Sequence, residues 1–302
     1  MSSTPVVLYQ LYCEVEENQS FSVQRSSTSV LESMLRSRFI SRENGLLVLN
    51  RGFHDLADRK VVADLKRNRN TLRDFSERLA RSHTCDLIMV LNTHASALDG
   101  GLLYGNGKST SLPAMVEHVL GDRRPTDQFR RSILFVVCCG GFVEHSMEEM
   151  REIGHKFSAV LAFGAPALDP ILVMSQFVCS VADYFILGQE DLWPAIRHSL
   201  KQEVMKHTSV YVAKHGDIYR VSDAPLRRRP NGVEVRCCRQ LAKYMGCDRT
   251  GKVIKFRCQV PNHAGPRVFR VEVHVASAGH REIWGGKGGP RYLLERVTVV
   301  TR

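Results

Sequence analysis

The sequence predicts an α/β protein, a mostly parallel sheet with helices on both faces, followed by a basic, β-rich C-terminal region. Three observations carry that expectation. Short apolar runs alternate with longer amphipathic ones over the first two hundred residues, and runs such as DLIMVLN (Asp86–Asn92) and ILFVVC (Ile133–Cys138) are almost wholly apolar, as strands covered on both faces are. After Val233 the texture changes: KVIKFRCQV, RVFRVEVHV and YLLERVTVV alternate with period two between Gly, Pro and Asn turns, the pattern of antiparallel strands with one solvated face. The charge also divides. Of the chain's net +11, residues 214–302 carry 19 Lys/Arg against 7 Asp/Glu, while residues 1–213 carry 23 against 24. The expected organisation is an α/β domain over 1–213 and a basic tail over 214–302, either a separate unit or an extension of the sheet. The LRRRPNG stretch marks the change of composition.

Taken in order, Val6–Tyr12 reads as a first strand, Ser29–Ile40 as a helix with a Ser start, and Leu46–Asn50 as a short buried strand. Asp55–Ser82 is a charged helical stretch with Leu56, Val61, Leu65, Leu72, Phe75 and Leu79 on one face. The strand Asp86–Asn92 follows. Ser111–Gly121 has a Ser cap, an early Pro and a terminal Gly, complete helix punctuation. The strand Ile133–Cys138, a short helix in EHSMEEMREIGHK, the strand Ser158–Phe163, a long apolar helix Ile171–Leu187 and a last helix Glu190–Met205 complete the domain. There is no internal repeat and no low-complexity tract.

Composition narrows the function classes. At 43% hydrophobic residues, 24% charged and a mean hydropathy of −0.18, the chain reads as ordinary globular protein with one sizeable core. No uninterrupted apolar run approaches the roughly 18–20 residues of a membrane span, and the acidic start MSSTPVVLYQLYCEVEEN lacks the features of a signal peptide. Nine cysteines are too sparse and too odd a number for a disulfide scaffold. The expected setting is a reducing one, the cytoplasm, with the nucleus also open.

Reactive groups in an open α/β sheet collect beyond the carboxyl ends of the strands. Two such ends carry chemistry here. DLIMVLN runs into Thr93-His94, and ILFVVC runs into Cys139-Gly140-Gly141. On neighbouring parallel strands these ends would bring an imidazole to a thiol, the minimum for thiolate nucleophilic catalysis. Alternation turns Cys138 away from Cys139 and into packing. Gly140 and Gly141 would allow a sharp turn after the nucleophile and leave room for a substrate backbone. The bland alternative is a buried packing cysteine and a surface histidine.

The surroundings resemble the caspase-like (clan CD) cysteine peptidases, and among them the CHAT-type domains. The resemblance covers roughly residues 46–200. It rests on VLNTHASALDGGLLYGNGKSTSLPAMVEHVLG, in which Leu98–Gly107 fits the hairpin after the family's histidine, on SILFVVCCGGF, and on Val160–Leu200 as the segment after the family's cysteine. It implies His94 as base and Cys139 as nucleophile, since the family's cysteine has a Gly two residues later and Gly141 supplies it. It implies backbone N–H groups of Ala95 and Cys139 as oxyanion hole, and Gly140, Gly141 and Asp169 beside the substrate. Two departures stand out: Ala95 where the family usually has Gly, which would be strained if the backbone there needs positive φ, and the Gly-Gly turn. Asp169 has a plainer reading as the cap of the helix from Ile171.

The resemblance therefore implies a cysteine endopeptidase acting on protein or peptide substrates, with no cofactor and no metal, regulated by a protein partner. Two alternatives stay open: an inactive scaffold of the same fold acting as an interaction module, and nucleic-acid binding through the basic tail, where the cations are interleaved with Phe256, Phe269, Trp284 and Tyr292. A solvated sheet face explains the tail's charge as well. In the tail Cys237, Cys238, Cys247, Cys258 and His263 fall within 27 residues. Zinc wants four such ligands, but the usual close pairs separated by two to four residues are absent. Cys237 and Cys238 would point oppositely in extended chain, so scattered reduced cysteines are expected.

Overall fold

The computed structural model describes residues 4–14, 23–41, 45–80, 84–96, 98–105, 107–122, 124–223, 235–238, 240–247, 253–261, 263, 265, 267–272, 281–285 and 290–297. The chain divides into two compact units, Met1–Ile218 with Val299–Arg302, and Tyr219–Thr298.

In the first unit the elements run β1 (Val6–Cys13), α1 (Val23–Arg38), β2 (Leu46–Phe53), α2 (Arg59–Ala80), β3 (Asp86–Asn92), β4 (Leu102–Gly105), β5 (Lys108–Thr110), α3 (Leu112–Leu120), α4 (Pro125–Gln128), β6 (Ser132–Val137), α5 (Gly141–His145), α6 (Met147–Ile153), β7 (Ala159–Phe163), α7 (Pro170–Leu187), α8 (Leu192–Ser199), α9 (Gln202–His207) and β8 (Val210–Lys214). The sheet order is β8-β7-β6-β3-β1-β2. The pairs β2–β1, β1–β3, β3–β6 and β6–β7 are parallel, and β8 adds antiparallel to β7. The α/β class and the mostly parallel sheet are thus as expected from the apolar runs. Strands β3, β6 and β7 are buried at every residue, which explains why they carry no alternation. Two groups of helices, α1 with α7 and α8, and α2 with α3 and α6, pack among themselves.

Local chemistry sets the element ends. Ser111 Oγ accepts from Ala114 N–H at the start of α3, Pro113 sits in its first turn, and Gly121 closes it at φ +72°. Three segments depart from the sequence reading. The helix expected over Glu190–Met205 is two, α8 and α9. The buried Ser199 hydroxyl bonds back to Ala195 O at 2.7 Å, a side-chain bond that competes with continuation of the helix. The helix read in EHSMEEMREIGHK is likewise broken, at Ser146, between α5 and α6. The third departure is α7, which by length and composition is long and apolar enough to cross a membrane, contrary to the expectation that no run approaches that size; half of it is buried inside the fold.

The second unit holds β9 (Asp217–Asp223, from Tyr219), β10 (Arg236–Cys237), β11 (Gln240–Leu241), β12 (Lys243–Cys247), β13 (Val253–Arg257), β14 (Val268–Glu272), β15 (Arg281–Trp284) and β16 (Tyr292–Val297). Strands β12-β13-β14 form one antiparallel sheet, β10-β11 a hairpin, and β15-β16-β9 a third group. The three runs read from the sequence are antiparallel strands as expected, in two different groups. KVIKFR and VFRVE do pair, but YLLERV (β16) pairs with β15, and the partner of β13 on its other side is β12, whose pairing shifts between Tyr244 and Gly246.

Candidate active site

The register of β3 on β6 determines the site. The last paired positions are Asn92 and Val137, and Thr93 N–H continues the ladder to Val137 O at 3.2 Å. His94 and Cys139 each stand two residues beyond that pair, on strands about 4.8 Å apart, and the His94 side chain lies near enough to the Cys139 sulfur to lower its pKa. Both residues are half-buried.

The hairpin β4–β5 fixes the histidine's backbone. Leu103 N–H donates to His94 O at 2.8 Å, Ser96 N–H to Gly101 O at 2.8 Å, and Thr93 Oγ1 to Leu103 O at 2.6 Å. Between those bonds lies an antiparallel bridge, Ala95 opposite Leu102. In such a non-hydrogen-bonded pair the residue's own N–H points away from its partner strand, so the Ala95 amide is turned off β4. Ala95 is not among the described non-glycine residues with positive φ, which are Gln189, His215 and Cys238. The strain that alanine would bring to this position is therefore absent.

On the cysteine side, Gly140 N–H donates to Ala165 O at 2.6 Å. A Cβ on Gly140 would come within 2.6 Å of Gly164 O. Gly140 has an ordinary helical φ of −61°, so it is glycine for lack of space, not for a special turn. Gly141 opens α5, and its carbonyl lies 2.7 Å from where a Cβ of Gly100 (φ +73°) would sit. The histidine's loop and the cysteine's turn thus abut.

The electrostatics separate the cysteines. The His94 hydrogen bond lowers the Cys139 pKa below an ordinary thiol's; burial opposes it, and the Leu168 N–H, the charge of His94 and the residue's own amide add to the lowering. Cys138 is fully buried and burial pushes its thiol up. Cys13, at the end of β1, is also raised by burial, with the Thr93 side chain as a partly offsetting hydrogen-bond partner.

Residues that sequence reasoning missed complete the arrangement. Gln24 Nε2 is 3.0 Å from His94 Nε2. The buried Asn92 holds the start of α1 in place, donating from Nδ2 to Ser27 Oγ at 2.8 Å and to Gln24 O at 3.2 Å. Leu168 brings its amide to the sulfur from the turn after β7. Asn92 carried a signal, a polar amide ending an apolar strand; Gln24 and Leu168 carried none. Asp169 lies beside Leu168, but its Oδ1 accepts from both Ile171 and Leu172 N–H at 3.0 Å. Its carboxylate caps α7, the plainer of its two readings.

In the second unit the expected scatter of thiols is corrected. Cys237, Cys238, Cys258 and His263 place one donor atom each within 4.8 Å of one another.

No family model matches the sequence, and no curated protein matches it. Among solved structures, the chain is similar to the X-ray structure of an inactive zymogen C11 protease from Parabacteroides distasonis, with 9% identity and a TM-score of 0.35 over 71% of this chain. The alignment spans 63% of that structure's chain.

Proposed function

We propose that the chain is a cysteine endopeptidase whose nucleophile is Cys139 and whose base is His94. The observation that supports this best is that the only described cysteine of the first unit with a lowered pKa is the one facing a histidine across two register-matched strand ends. His94 takes the thiol proton, and the thiolate adds to the carbonyl carbon of a peptide bond. The resulting oxyanion would be received by the N–H groups of Ala95 and Cys139; the Ala95 amide is turned off β4. Removing one such donor typically costs about 100- to 1,000-fold in rate. The imidazolium returns its proton to the leaving amine as the tetrahedral adduct collapses to a thioester. Water activated by the same imidazole then hydrolyses the thioester and frees the thiol.

Gln24 is a positioning residue in this scheme. It engages Nε2, which leaves Nδ1 for the sulfur. With Nδ1 acting as base, Nε2 keeps its proton in both the neutral ring and the imidazolium, so the Gln24 carboxamide would present its oxygen to accept from Nε2 at both stages.

The test is reaction with a thiol-directed probe near neutral pH, paired with a peptide-library digest. The expected outcome is dyad-dependent labelling and cleavage, both lost in Cys139→Ala and strongly reduced in His94→Ala. Equal labelling of wild type and His94→Ala would overturn the activated thiol. Labelling without any cleavage would favour the interaction-module reading instead.

A further inference from the structure

We propose that the second unit binds a structural Zn2+ ion through Cys237, Cys238, Cys258 and His263. The ligand geometry is the first support. A tetrahedral zinc with Zn–S near 2.3 Å and Zn–N near 2.0–2.1 Å sets sulfur–sulfur edges at about 3.8 Å and sulfur–nitrogen edges at about 3.5 Å. Cys237 Sγ stands 3.8 Å from Cys238 Sγ and 3.5 Å from His263 Nδ1, and Cys238 Sγ stands 3.1 Å from the same Nδ1. With Cys258 Sγ included, all four donor atoms lie within 4.8 Å of one another. A sulfur–sulfur distance of 3.8 Å is far from the 2.03–2.05 Å of a disulfide, and the three cysteines are free thiols.

The backbone supplies the second support. Adjacent cysteines in extended chain point to opposite sides, yet here they converge because Cys238 adopts φ +49°. A non-glycine residue held in that region is strained and persists only where its surroundings impose it. A shared ion would impose it. The chain also brings its ligands from separate places: Cys237 from β10, Cys238 from the turn after it, Cys258 from just beyond β13, and His263 from the loop before β14. Cys258 N–H is fixed on Arg267 O at 2.8 Å, and the His263 ring packs edge-on to Phe269 with centroids 6.1 Å apart.

The third support is the size of the apolar core beside the cluster. It consists of Ala242 and Phe256, with Val235, Phe269 and Val271 packed against them. A small apolar cluster of this kind is one that a neighbouring structural metal would reinforce. An ion held by these four groups would tie the β10–β11 hairpin to the β12-β13-β14 sheet. Three thiols would release their protons to solvent on binding, and three thiolates with a neutral imidazole would leave a closed site of net charge −1 in a strongly basic unit.

The experiment measures metal on the full chain, in wild type and in the Cys139→Ala variant, so that its outcome is independent of the proposed peptidase site. The expected result is about one zinc retained per chain through dialysis against a weak chelator, in both proteins. The stoichiometry should fall to near zero in Cys258→Ser and in His263→Ala. Because those variants can misfold, apo wild type is also titrated with Co2+. Uptake should produce the charge-transfer and d–d bands of a tetrahedral three-thiolate site, and added Zn2+ should displace them. Wild type that neither retains zinc nor takes up Co2+ overturns the proposal, as does zinc that survives Cys258→Ser or is lost in Cys139→Ala.

Discussion

At the amino ends of β3 and β6, Asp86 is completely buried and both of its oxygens are occupied. Arg130 reaches them in bidentate fashion at 3.1 and 2.7 Å, Arg131 N–H at 3.1 Å and Gln189 Nε2 at 3.1 Å. Alongside, Ser132 and Ser158 exchange backbone-to-hydroxyl bonds at 3.0 and 3.1 Å across β6 and β7. At the carboxyl ends of the same strands, polar groups are half-buried and aimed at each other across a gap: His94 at Cys139, Gln24 at His94, the Leu168 amide at the sulfur. One end uses its polar atoms to close the sheet. The other keeps a histidine and a thiol only half-buried. The lesson is that burial, and not residue type, separates a fastening from a reactive site on one pair of strands.

The largest effect expected concerns the reactive end. His94→Ala should reduce the alkylation rate of Cys139 at pH 7 by about 100-fold or more and move the midpoint of its pH profile up toward the roughly 8.5 of a free thiol. In wild type the midpoint lies lower, because folding lowers this pKa. For the same reason the thiolate's contribution to stability is complete above the unfolded-thiol value and is lost as pH falls through the folded one. Stopped-flow alkylation against pH reads the midpoint, and identical profiles for the two proteins would refute the hydrogen bond as its cause.

Next in size is the closed end. Asp86→Ala leaves the Arg130 guanidinium and the Arg131 backbone N–H without this acceptor and should destabilise the first unit by about 2–3 kcal/mol in denaturant unfolding. Gly140→Ala should cost about 1–3 kcal/mol, since its Cβ meets a backbone carbonyl that cannot step aside. It should also displace the sulfur and slow alkylation, whereas Asp86→Ala should leave the alkylation rate of the folded fraction unchanged. Smaller again, Gln24→Leu should slow alkylation by about tenfold with a shifted pH profile and little change in stability, and Gln24→Asn should recover part of the rate. Asp169→Ala should cost about 1 kcal/mol from the lost cap and leave reactivity intact.

How much of this was legible follows from range. Fully apolar runs identified β3, β6 and β7 because burial on both faces leaves its mark on every residue, and Ser111, Pro113 and Gly121 bounded α3 because capping is local. His94 and Cys139 were readable as strand-end residues. The register that aligns Asn92 with Val137 was not, since it depends on pairing between segments more than forty residues apart. Gln24 was invisible for the same reason: its partner is 70 positions away. The thiol cluster in the second unit was misread because sequence spacing takes the chain as extended, and a single positive φ at Cys238 reverses the direction of one side chain. The break between α8 and α9 lay in a hydroxyl's choice of partner, which composition does not record.

The short bond from Gly140 N–H to Ala165 O, with the Leu168 amide on the sulfur, has a temporal consequence. During synthesis, residue 139 emerges with its histidine already made but without the turn that follows β7. Until some thirty further residues have been added and β7 has docked, the sulfur lacks one of its stabilising amides and its supporting carbonyl. A nascent or truncated chain ending before residue 165 therefore carries a duller thiol than the finished one, and its acidity ripens only as the sheet closes.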